Sequence, residues 1–146
     1  MIIQFFIKCI PPKTTVQTNH RIMRRKDGTQ FVGSMSNRKS AQVQKELMLL
    51  LSEHVPERPL EGPLKLNVQW RYPWRKSEPK KNRANGTRWC DTRPECDNLC
   101  KGFQDCMTRL GFWTDDSQVA ALYFSKEWCD TPGIYVSVTE LRGEWE

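Results

Sequence analysis

Residues 63–74 alternate strictly between apolar and polar side chains, and no other pattern in the chain constrains its fold as strongly. The apolar positions are Leu64, Leu66, Val68, Trp70 and Tyr72, and the polar positions are Lys65, Asn67, Gln69 and Arg71. A period of two predicts a β-strand in a sheet that has one face on a hydrophobic core and the other face exposed.

Two segments with helical spacing are predicted to pack on that sheet. Segment 37–54 carries an apolar stripe of Val43, Leu47, Leu50, Leu51 and His54, and segment 98–110 carries Leu99, Phe103, Cys106, Met107 and Leu110. This spacing places each set on one face of a helix. Prolines 56 and 59 end the first helix, and Gly111 is a natural stop for the second. We expect His54 to pack with its stripe rather than to act in chemistry.

Three further strands complete the predicted fold, at residues 2–10, 118–129 and 133–141. Only residues 130–132 separate the last two strands, which predicts an antiparallel hairpin. The resulting order is β-α-β-α-β-β. It favours an α/β (α+β) protein with a single mixed β-sheet and two main helices packed on one of its faces. At 146 residues, the chain is predicted to form one domain over residues 1–146.

Two long polar stretches, residues 11–36 and 75–92, carry much of the positive charge. The chain has 23 Lys and Arg against 17 Asp and Glu, a formal charge of +6, which favours nucleic acid over a membrane as partner. Turns are expected at Asp27-Gly28 and Asn85-Gly86 within loops that are functional or disordered. The candidate DNA-binding residues are Arg21, Arg24, Arg25, Lys26, Lys76, Lys80, Lys81, Arg83 and Arg88. The alternative is that these charges are only solvated.

The six cysteines and the first ten residues are both typical of a cytoplasmic protein. The segment MIIQFFIKCI lacks a basic leader and a small-residue cleavage site, so a strand in a cytoplasmic protein is expected. Cys90, Cys96, Cys100 and Cys106 lie close together in sequence without the usual zinc spacings. Reduced, partly buried thiols are therefore favoured over disulfides or a metal site.

Acidic residues stand at both ends of the second predicted helix. Glu95 and Asp97 precede it, Asp115 and Asp116 follow it, and Lys101 lies in its first turn. Helix capping and turn formation are the ordinary explanation for such acids. Against that, a cation in a first turn opposes the helix dipole, although an i,i+4 pair with Asp97 is open to it. Two adjacent aspartates are also unfavourable unless they are solvated or neutralised, and a bound Mg²⁺ would neutralise them.

Acids grouped within a basic chain are typical of metal-dependent enzymes that act on nucleic acid. Phosphodiester cleavage needs a nucleophilic water and stabilisation of the charge on the phosphate oxygens, and metal ions supply both. A nearby lysine adds to that stabilisation. The sequence contains no Gly-rich phosphate loop, nucleophile elbow or H-E-x-x-H, so no nucleotide cofactor is expected.

The two acidic blocks together resemble the RusA family of Holliday junction resolvases. That family carries D-x-D-N-L-x-K, a helix ending in G-hydrophobic-aromatic, and D-D-[AS]-Q-[VI]. Here the blocks are residues 95–101, E-C-D-N-L-C-K, and residues 111–119, G-F-W-T-D-D-S-Q-V. The resemblance implies a homodimeric, Mg²⁺-dependent endonuclease, with Mn²⁺ as an alternative metal, that makes paired nicks in four-way or branched DNA during recombination and repair.

The resemblance also implies roles for single residues. The metal-site carboxylates map to Glu95, Asp97 and Asp116, the catalytic lysine maps to Lys101, and Asp115 is the neighbouring acid and a further candidate ligand. Glu95 departs from the family pattern, which usually has Asp there. Two alternatives therefore stay open. One is a branched-DNA-binding protein that no longer cuts, and the other is a small cysteine-based metal module.

The length of the second helix raises a question about Asp116. If residues 98–110 are helical they extend about 20 Å, and the stretch from Leu110 to Asp116 spans at most roughly 20 Å. Either this stretch doubles back nearly straight along its own helix, or Asp116 joins the Glu95–Asp97 pair of a partner subunit.

Overall fold

The computed structural model describes residues 1–14, 18–36 and 38–141, with the side chains of residues 18–21 and 32–36 outside the description. Within these ranges the main sheet has five strands in the order β1-β7-β4-β6-β5. Their bounds are β1 Ile2–Ile7, β4 Leu64–Pro73, β5 Arg88–Trp89, β6 Val119–Cys129 and β7 Gly133–Glu140. Because β4 runs parallel to β6 and antiparallel to β7 and β7 is antiparallel to β1, the sheet is mixed, as predicted.

Strand β4 lies at the centre of this sheet, and its five apolar positions are all buried. The predicted hairpin between the last two strands is wrong, because β6 and β7 flank β4 on opposite sides instead of pairing with each other. The prediction relied on the short link 130–132, which suggested that the two strands are neighbours in the sheet. The strand with the most completely buried apolar face instead takes the central position, where both of its edges are hydrogen-bonded.

Helices α1 (Arg38–Ser52) and α3 (Cys96–Leu110) confirm the two predicted helical segments and contact each other over the apolar face of β4. Phe103 of α3 meets Trp70 of β4 edge-on, with 5.6 Å between ring centroids. Gly111 ends α3 with a φ of 92°, a left-handed conformation that favours glycine. His54 packs as predicted, stacked on Phe5 at 4.1 Å.

The two polar stretches contain regular structure that the sequence pattern did not indicate. Residues Thr18–Arg24 (β2) and Gln30–Ser36 (β3) form an antiparallel hairpin that is separate from the main sheet. Its turn contains Asp27 and Gly28, as predicted. The interpretation of residues 11–36 as one long loop is wrong, because strands β2 and β3 lie within this stretch. Ile22 of β2 is 74% exposed, so this apolar residue does not mark a buried face.

Residues 75–92 likewise contain the short helix α2 (Lys80–Arg83) and strand β5. The order β-α-β-α-β-β therefore omitted the hairpin, α2 and β5, although its two helices and four principal strands are present. No helix in the described part of the chain is long and apolar enough to cross a membrane.

Candidate active site

The start of α3 holds two exposed carboxylates, Glu95 and Asp97, that share one neighbour. Asn98 donates its side-chain amide to Glu95 Oε2 at 3.2 Å and its backbone N–H to Asp97 Oδ1 at 2.9 Å. Glu95 occupies the N-cap position, yet its side chain makes no capping hydrogen bond to the helix. Capping therefore does not account for the Glu95 carboxylate, and the two acids form a pair open to solvent.

The pKa of Glu95 is held below its ordinary value. Its own backbone N–H contributes most, followed by the hydrogen bond from Asn98 and the positive charges of Arg93 and Lys126. Each of these favours the ionised form of the carboxyl group. Glu95 is consequently an anion at neutral pH, which is the form that binds a hard cation.

The turn before α3 is attached to strand β6 through Lys126. The Lys126 ammonium group donates hydrogen bonds to the backbone carbonyl oxygens of Thr92 and of Pro94, the latter at 2.6 Å. The backbone carbonyl of Lys126 accepts from the Cys90 N–H at 3.0 Å. Side chain and main chain of one residue thus fix both ends of the segment that leads into Glu95.

The second acidic pair divides into a structural and an exposed member. Asp115 caps the short 3₁₀ helix Asp116–Gln118 by accepting the Ser117 N–H at 2.8 Å, which lowers the pKa of Asp115. Gln118 completes a capping box by accepting the Asp115 N–H at 3.1 Å. It also donates to the carbonyl groups of Leu60 and Gly62. The turn explanation therefore accounts for Asp115, and it leaves the exposed Asp116 as the candidate ligand.

Asp116 lies at the opposite end of α3 from Glu95 and Asp97. It lies three residues before Val119, the first residue of β6, whereas the turn at Glu95 is attached to Lys126, seven residues beyond Val119 on that strand. Seven strand residues span about 23 Å, and the 15 residues of α3 span about 22 Å. The described residues accordingly contain no group of three or more acids, histidines or cysteines placed to hold a metal ion. Asp116 does not double back to Glu95 within one chain.

The Glu95–Asp97 pair nevertheless fits a magnesium ion by its chemistry. Both side chains offer hard oxygen atoms, both are exposed, and Glu95 is held in its ionised form. Mg²⁺ in enzymes of phosphate chemistry is commonly bound by one or two carboxylates together with water and substrate phosphates. One chain thus offers two of the three proposed carboxylates at the start of α3.

Lys101 lies one turn after Asp97 on α3 and is exposed. The sequence left open an ion pair between these two residues. In the described part of the chain Lys101 makes no ion pair, so its charge is available to a substrate.

A buried glutamate organises the basic segment 75–88. The Glu78 carboxylate binds Arg75 at 3.0 Å, Arg88 at 2.8 Å and Asn82 at 3.1 Å, and the pKa of Glu78 is lowered, first by Arg75. The Arg75 guanidinium also lies over the ring of Trp128 at 4.6 Å. This segment is therefore a folded structure rather than a solvated loop.

Its candidate DNA-binding residues fall into two groups. Lys76, Lys80 and Lys81 are exposed. Arg88 is bound to Glu78, and Arg83 donates to the Arg75 carbonyl at 3.4 Å. Among the described residues the three lysines are thus exposed cations of this segment without an ion pair.

The candidates in the first basic stretch lie at the tip of the β2–β3 hairpin. Arg24, Arg25 and Lys26 are exposed, and Arg25 also lies over the Phe31 ring at 4.7 Å. The side chain of Arg21 lies outside the described residues. Both basic stretches therefore present cations to solvent.

Three tryptophans close in sequence to the segment 75–88, namely Trp70, Trp74 and Trp89, differ in accessibility. Trp70 is in the core, and Trp74 donates to Asp130 at 2.8 Å. Trp89, immediately before the turn held by Lys126, is 67% exposed. It is the tryptophan of this set that is best placed to meet a ligand.

All six cysteines are free thiols, and four of them are buried. Their burial agrees with the expectation of partly buried thiols. Because the described residues contain no cysteine cluster that fits a metal, the alternative of a cysteine-based metal module has no support in the structure.

Sequence reasoning missed four residues that organise this region: Asn98, Lys126, Gln118 and Glu78. Asn98 and Gln118 stand inside the two blocks that were recognised, so position in the pattern was an available signal. Lys126 and Glu78 act on residues whose proximity depends on the fold, and nothing in the local sequence marks them.

The chain is similar to known proteins over most of its length. Residues 10–139 match a family model described as endodeoxyribonuclease RusA. The uncharacterized protein YqaN of Bacillus subtilis strain 168 is 33% identical over 108 residues, which cover 70% of this chain and 75% of that protein. The crossover junction endodeoxyribonuclease rusA of Lactococcus phage r1t is 35% identical over 79 residues, which cover 54% of this chain and 56% of that protein.

Proposed function

Because this chain belongs to the RusA family of endodeoxyribonucleases, we propose that it is a Mg²⁺-dependent resolvase that cuts Holliday junctions and other branched DNA by paired nicks. It would act in the cytoplasm, in DNA recombination and repair. The observation that carries the proposal is the exposed Glu95–Asp97 pair, joined by Asn98 at the start of α3 in a basic protein.

The proposed roles follow from where each side chain lies. Glu95 and Asp97 hold the metal, with Mg²⁺ preferred and Mn²⁺ accepted, and Asp116 adds a third carboxylate. When bound, such an ion lowers the pKa of water and stabilises charge on phosphate oxygens. Lys101, exposed and without an ion pair in the described residues, stabilises the negative charge that develops on the scissile phosphate.

We further propose that the protein is a homodimer in which Asp116 completes the site of its partner. The separation of about 20 Å between the two ends of α3 supports a shared site, because no side chain spans that distance. A second copy that lies antiparallel to the first would bring its Asp116 end to the Glu95 end. A homodimer also suits a substrate that needs two symmetric nicks.

The open edge of β6 supports such a pairing. On the side away from β4, described strands pair only with Glu127 and Trp128 of β6, which leaves Val119–Ser125 without a strand partner there. Leu122 and Tyr123 on this edge are 52% and 46% exposed. If a twofold axis passes near Leu122, antiparallel pairing places the residues before Val119 beside the partner subunit's turn at residues 92–95.

DNA contact is assigned to the two basic surfaces, one at the hairpin tip and one at the segment held by Glu78. Arg24, Arg25 and Lys26 supply the first, and Lys76, Lys80 and Lys81 supply the second, with Arg21, Arg83 and Arg88 nearby in sequence. Cations that neutralise phosphates release counterions, so binding should weaken steeply with salt. An affinity for a four-way junction that is flat between about 50 and 200 mM salt would contradict this assignment.

A second candidate function is recognition of branched DNA without cleavage, and Glu95 is the observation that favours it. Its side chain is one methylene longer than the Asp that is usual in the family, and Mg²⁺ demands near-ideal octahedral geometry. A labelled synthetic four-way junction incubated with and without Mg²⁺ separates the two. Symmetric, metal-dependent nicks support the enzyme, and tight binding without nicks supports the second candidate.

Mixed dimers test the shared site. Asp97→Asn and Asp116→Asn subunits are each expected to be inactive, but a mixture would contain dimers in which one site combines an intact Glu95–Asp97 pair with an intact Asp116. Single-strand nicking should therefore reappear on mixing. If the mixture is as inactive as either variant alone, while wild-type subunits exchange under the same conditions, the site is not shared.

A further inference from the structure

Lys126 is a buried cation whose recorded partners are neutral. The residue is 9% exposed, and its ammonium group donates to the carbonyl oxygens of Thr92 and Pro94. Within the described ranges it forms no ion pair with a carboxylate. Burying an ammonium group without an opposite charge is unfavourable, so stabilising a turn does not by itself explain a lysine at this position.

The position of the Lys126 ammonium group indicates its role. The two carbonyl groups that it holds belong to Thr92 and Pro94, in the turn that leads into Glu95. Strand β5 reinforces the attachment, because Trp89 pairs with Glu127 and the Cys90 N–H donates to the Lys126 carbonyl. The path from β6 to the metal-site acids is therefore short and rigid.

We propose that Lys126 is a positioning residue of the endonuclease site: through its hydrogen bonds to Thr92 and Pro94 it fixes the turn 92–95 so that Glu95 and Asp97 are aligned for the metal. The inference rests on the proposed function, since it concerns the same carboxylates. Residues that orient metal ligands typically change metal affinity or activity by about 10- to 100-fold when they are replaced.

Three substitutions separate the contributions of Lys126. Lys126→Met keeps the length and removes both charge and donors, Lys126→Gln keeps a donor without the charge, and Lys126→Arg keeps charge and donors. Lys65→Met, at an exposed lysine on the neighbouring strand β4, is the matched control. For each variant we would measure Mn²⁺ affinity by calorimetry, metal-free affinity for a four-way junction, cleavage rate at saturating metal, and thermal unfolding.

Lys126→Met is expected to weaken Mn²⁺ binding by about 10- to 100-fold, with little change in metal-free junction binding. Lys126→Gln should fall between Lys126→Met and the wild type, and Lys126→Arg should recover most of the affinity. Lys65→Met should match the wild type. A folded Lys126→Met protein with wild-type Mn²⁺ affinity and cleavage rate would overturn the proposal. If Lys126→Met does not fold, the comparison between Lys126→Gln and Lys126→Arg decides, and wild-type Mn²⁺ affinity and cleavage rate in both would overturn the proposal.

Asp97→Asn distinguishes failure of this inference from failure of the proposed function. If Asp97→Asn abolishes Mn²⁺ binding and Lys126→Met does not alter it, only the role of Lys126 is wrong. If Asp97→Asn leaves Mn²⁺ affinity unchanged, the metal site itself is wrongly assigned and both proposals fail.

Discussion

The two acidic pairs of this protein look alike in sequence and differ in their surroundings. Each pair stands close to the start of a helix. At α3, Glu95 makes no cap and shares Asn98 with Asp97. At the 3₁₀ helix, Asp115 is committed to a capping box, and only Asp116 remains exposed without such a role.

The difference shows how one turn can contain both a candidate metal ligand, Asp116, and an acid that caps a helix, Asp115. Gln118 binds the backbone of its own turn and the carbonyl groups of Leu60 and Gly62, so the position of Asp116 is fixed against the segment that leads into β4. At α3 the same task falls to Lys126, which holds the turn from outside. The turn at the first pair is thus held by a residue of strand β6, and the turn at the second pair is held by its own residue Gln118.

The largest expected effect separates three of these acids by function. Asp97→Asn and Asp116→Asn should each lower the junction cleavage rate by about 10³-fold or more, because each removes a charged metal ligand. Asp115→Asn should stay within about tenfold of the wild type, because Asn caps a helix as well as Asp does. Single-turnover cleavage of a four-way junction at saturating Mg²⁺ measures all three.

Asp105→Asn is the control for that series, since Asp105 lies on α3 beyond Lys101 and outside the proposed site. It should cleave like the wild type. An Asp115→Asn protein as inactive as Asp116→Asn would show that both aspartates act in the chemistry, and the division within the second pair would be wrong.

Glu95 allows a smaller test of the first pair. Glu95→Gln removes the charge and should lower Mg²⁺ affinity and cleavage by about 10- to 100-fold, a range typical for perturbed metal sites. Glu95→Asp restores the residue usual in the family and should cleave at least as fast as the wild type with Mg²⁺. Cleavage rates across a series of Mg²⁺ and Mn²⁺ concentrations check both. A Glu95→Asp protein that cleaves far more slowly would mean that this site is built around the longer side chain.

The third prediction concerns how the second pair is held. Gln118→Leu removes the capping-box acceptor and the two hydrogen bonds to Leu60 and Gly62, and it should lower the free energy of unfolding by about 2 kcal/mol. Cleavage should also fall, because Asp116 loses its fixed position. Gln42→Leu, on the exposed side of α1, is the matched control for unfolding in urea. Equal free energies of unfolding for Gln118→Leu and Gln42→Leu would show that Gln118 does not anchor this turn.

The sequence predicted the parts of the fold that bury a regular pattern. Strand β4 and helices α1 and α3 were predictable because Leu66, Leu47 and Phe103 belong to repeats that end up in one core. The β2–β3 hairpin was missed because its sequence shows no such repeat. The predicted pairing of β6 with β7 was wrong because a three-residue link limits how far apart the two strands can lie but does not exclude a third strand, β4, between them.

The same division applies to the site. Glu95, Asp97, Lys101 and Asp116 were proposed from two local blocks of sequence, and Asn98 and Gln118 lie inside those blocks. Lys126 was not predictable, since its contact with Pro94 joins residues 32 positions apart and exists only because β6 passes beneath the turn. Local motifs therefore indicate candidate groups for the chemistry, whereas a residue such as Lys126, which holds the neighbouring turn, is brought there by tertiary structure.

The smallest expected effect concerns the cap at Asp115 and depends on pH. The hydrogen bond from the Ser117 backbone holds the pKa of Asp115 below its ordinary value, so the ionised carboxylate stabilises the folded state. That stability is fully present above the unfolded pKa of about 3.9 and is lost as the pH falls through the lower folded pKa. Asp115→Ala should therefore lower the melting temperature by a few degrees at pH 7, and the difference from wild type should shrink only below about pH 4. Asp115→Asn should show little loss at pH 7, because Asn caps a helix about as well as Asp does. Melting curves from pH 3 to pH 7 test this, and a constant difference between wild type and Asp115→Ala over the whole range would mean that the carboxylate charge contributes nothing to the cap.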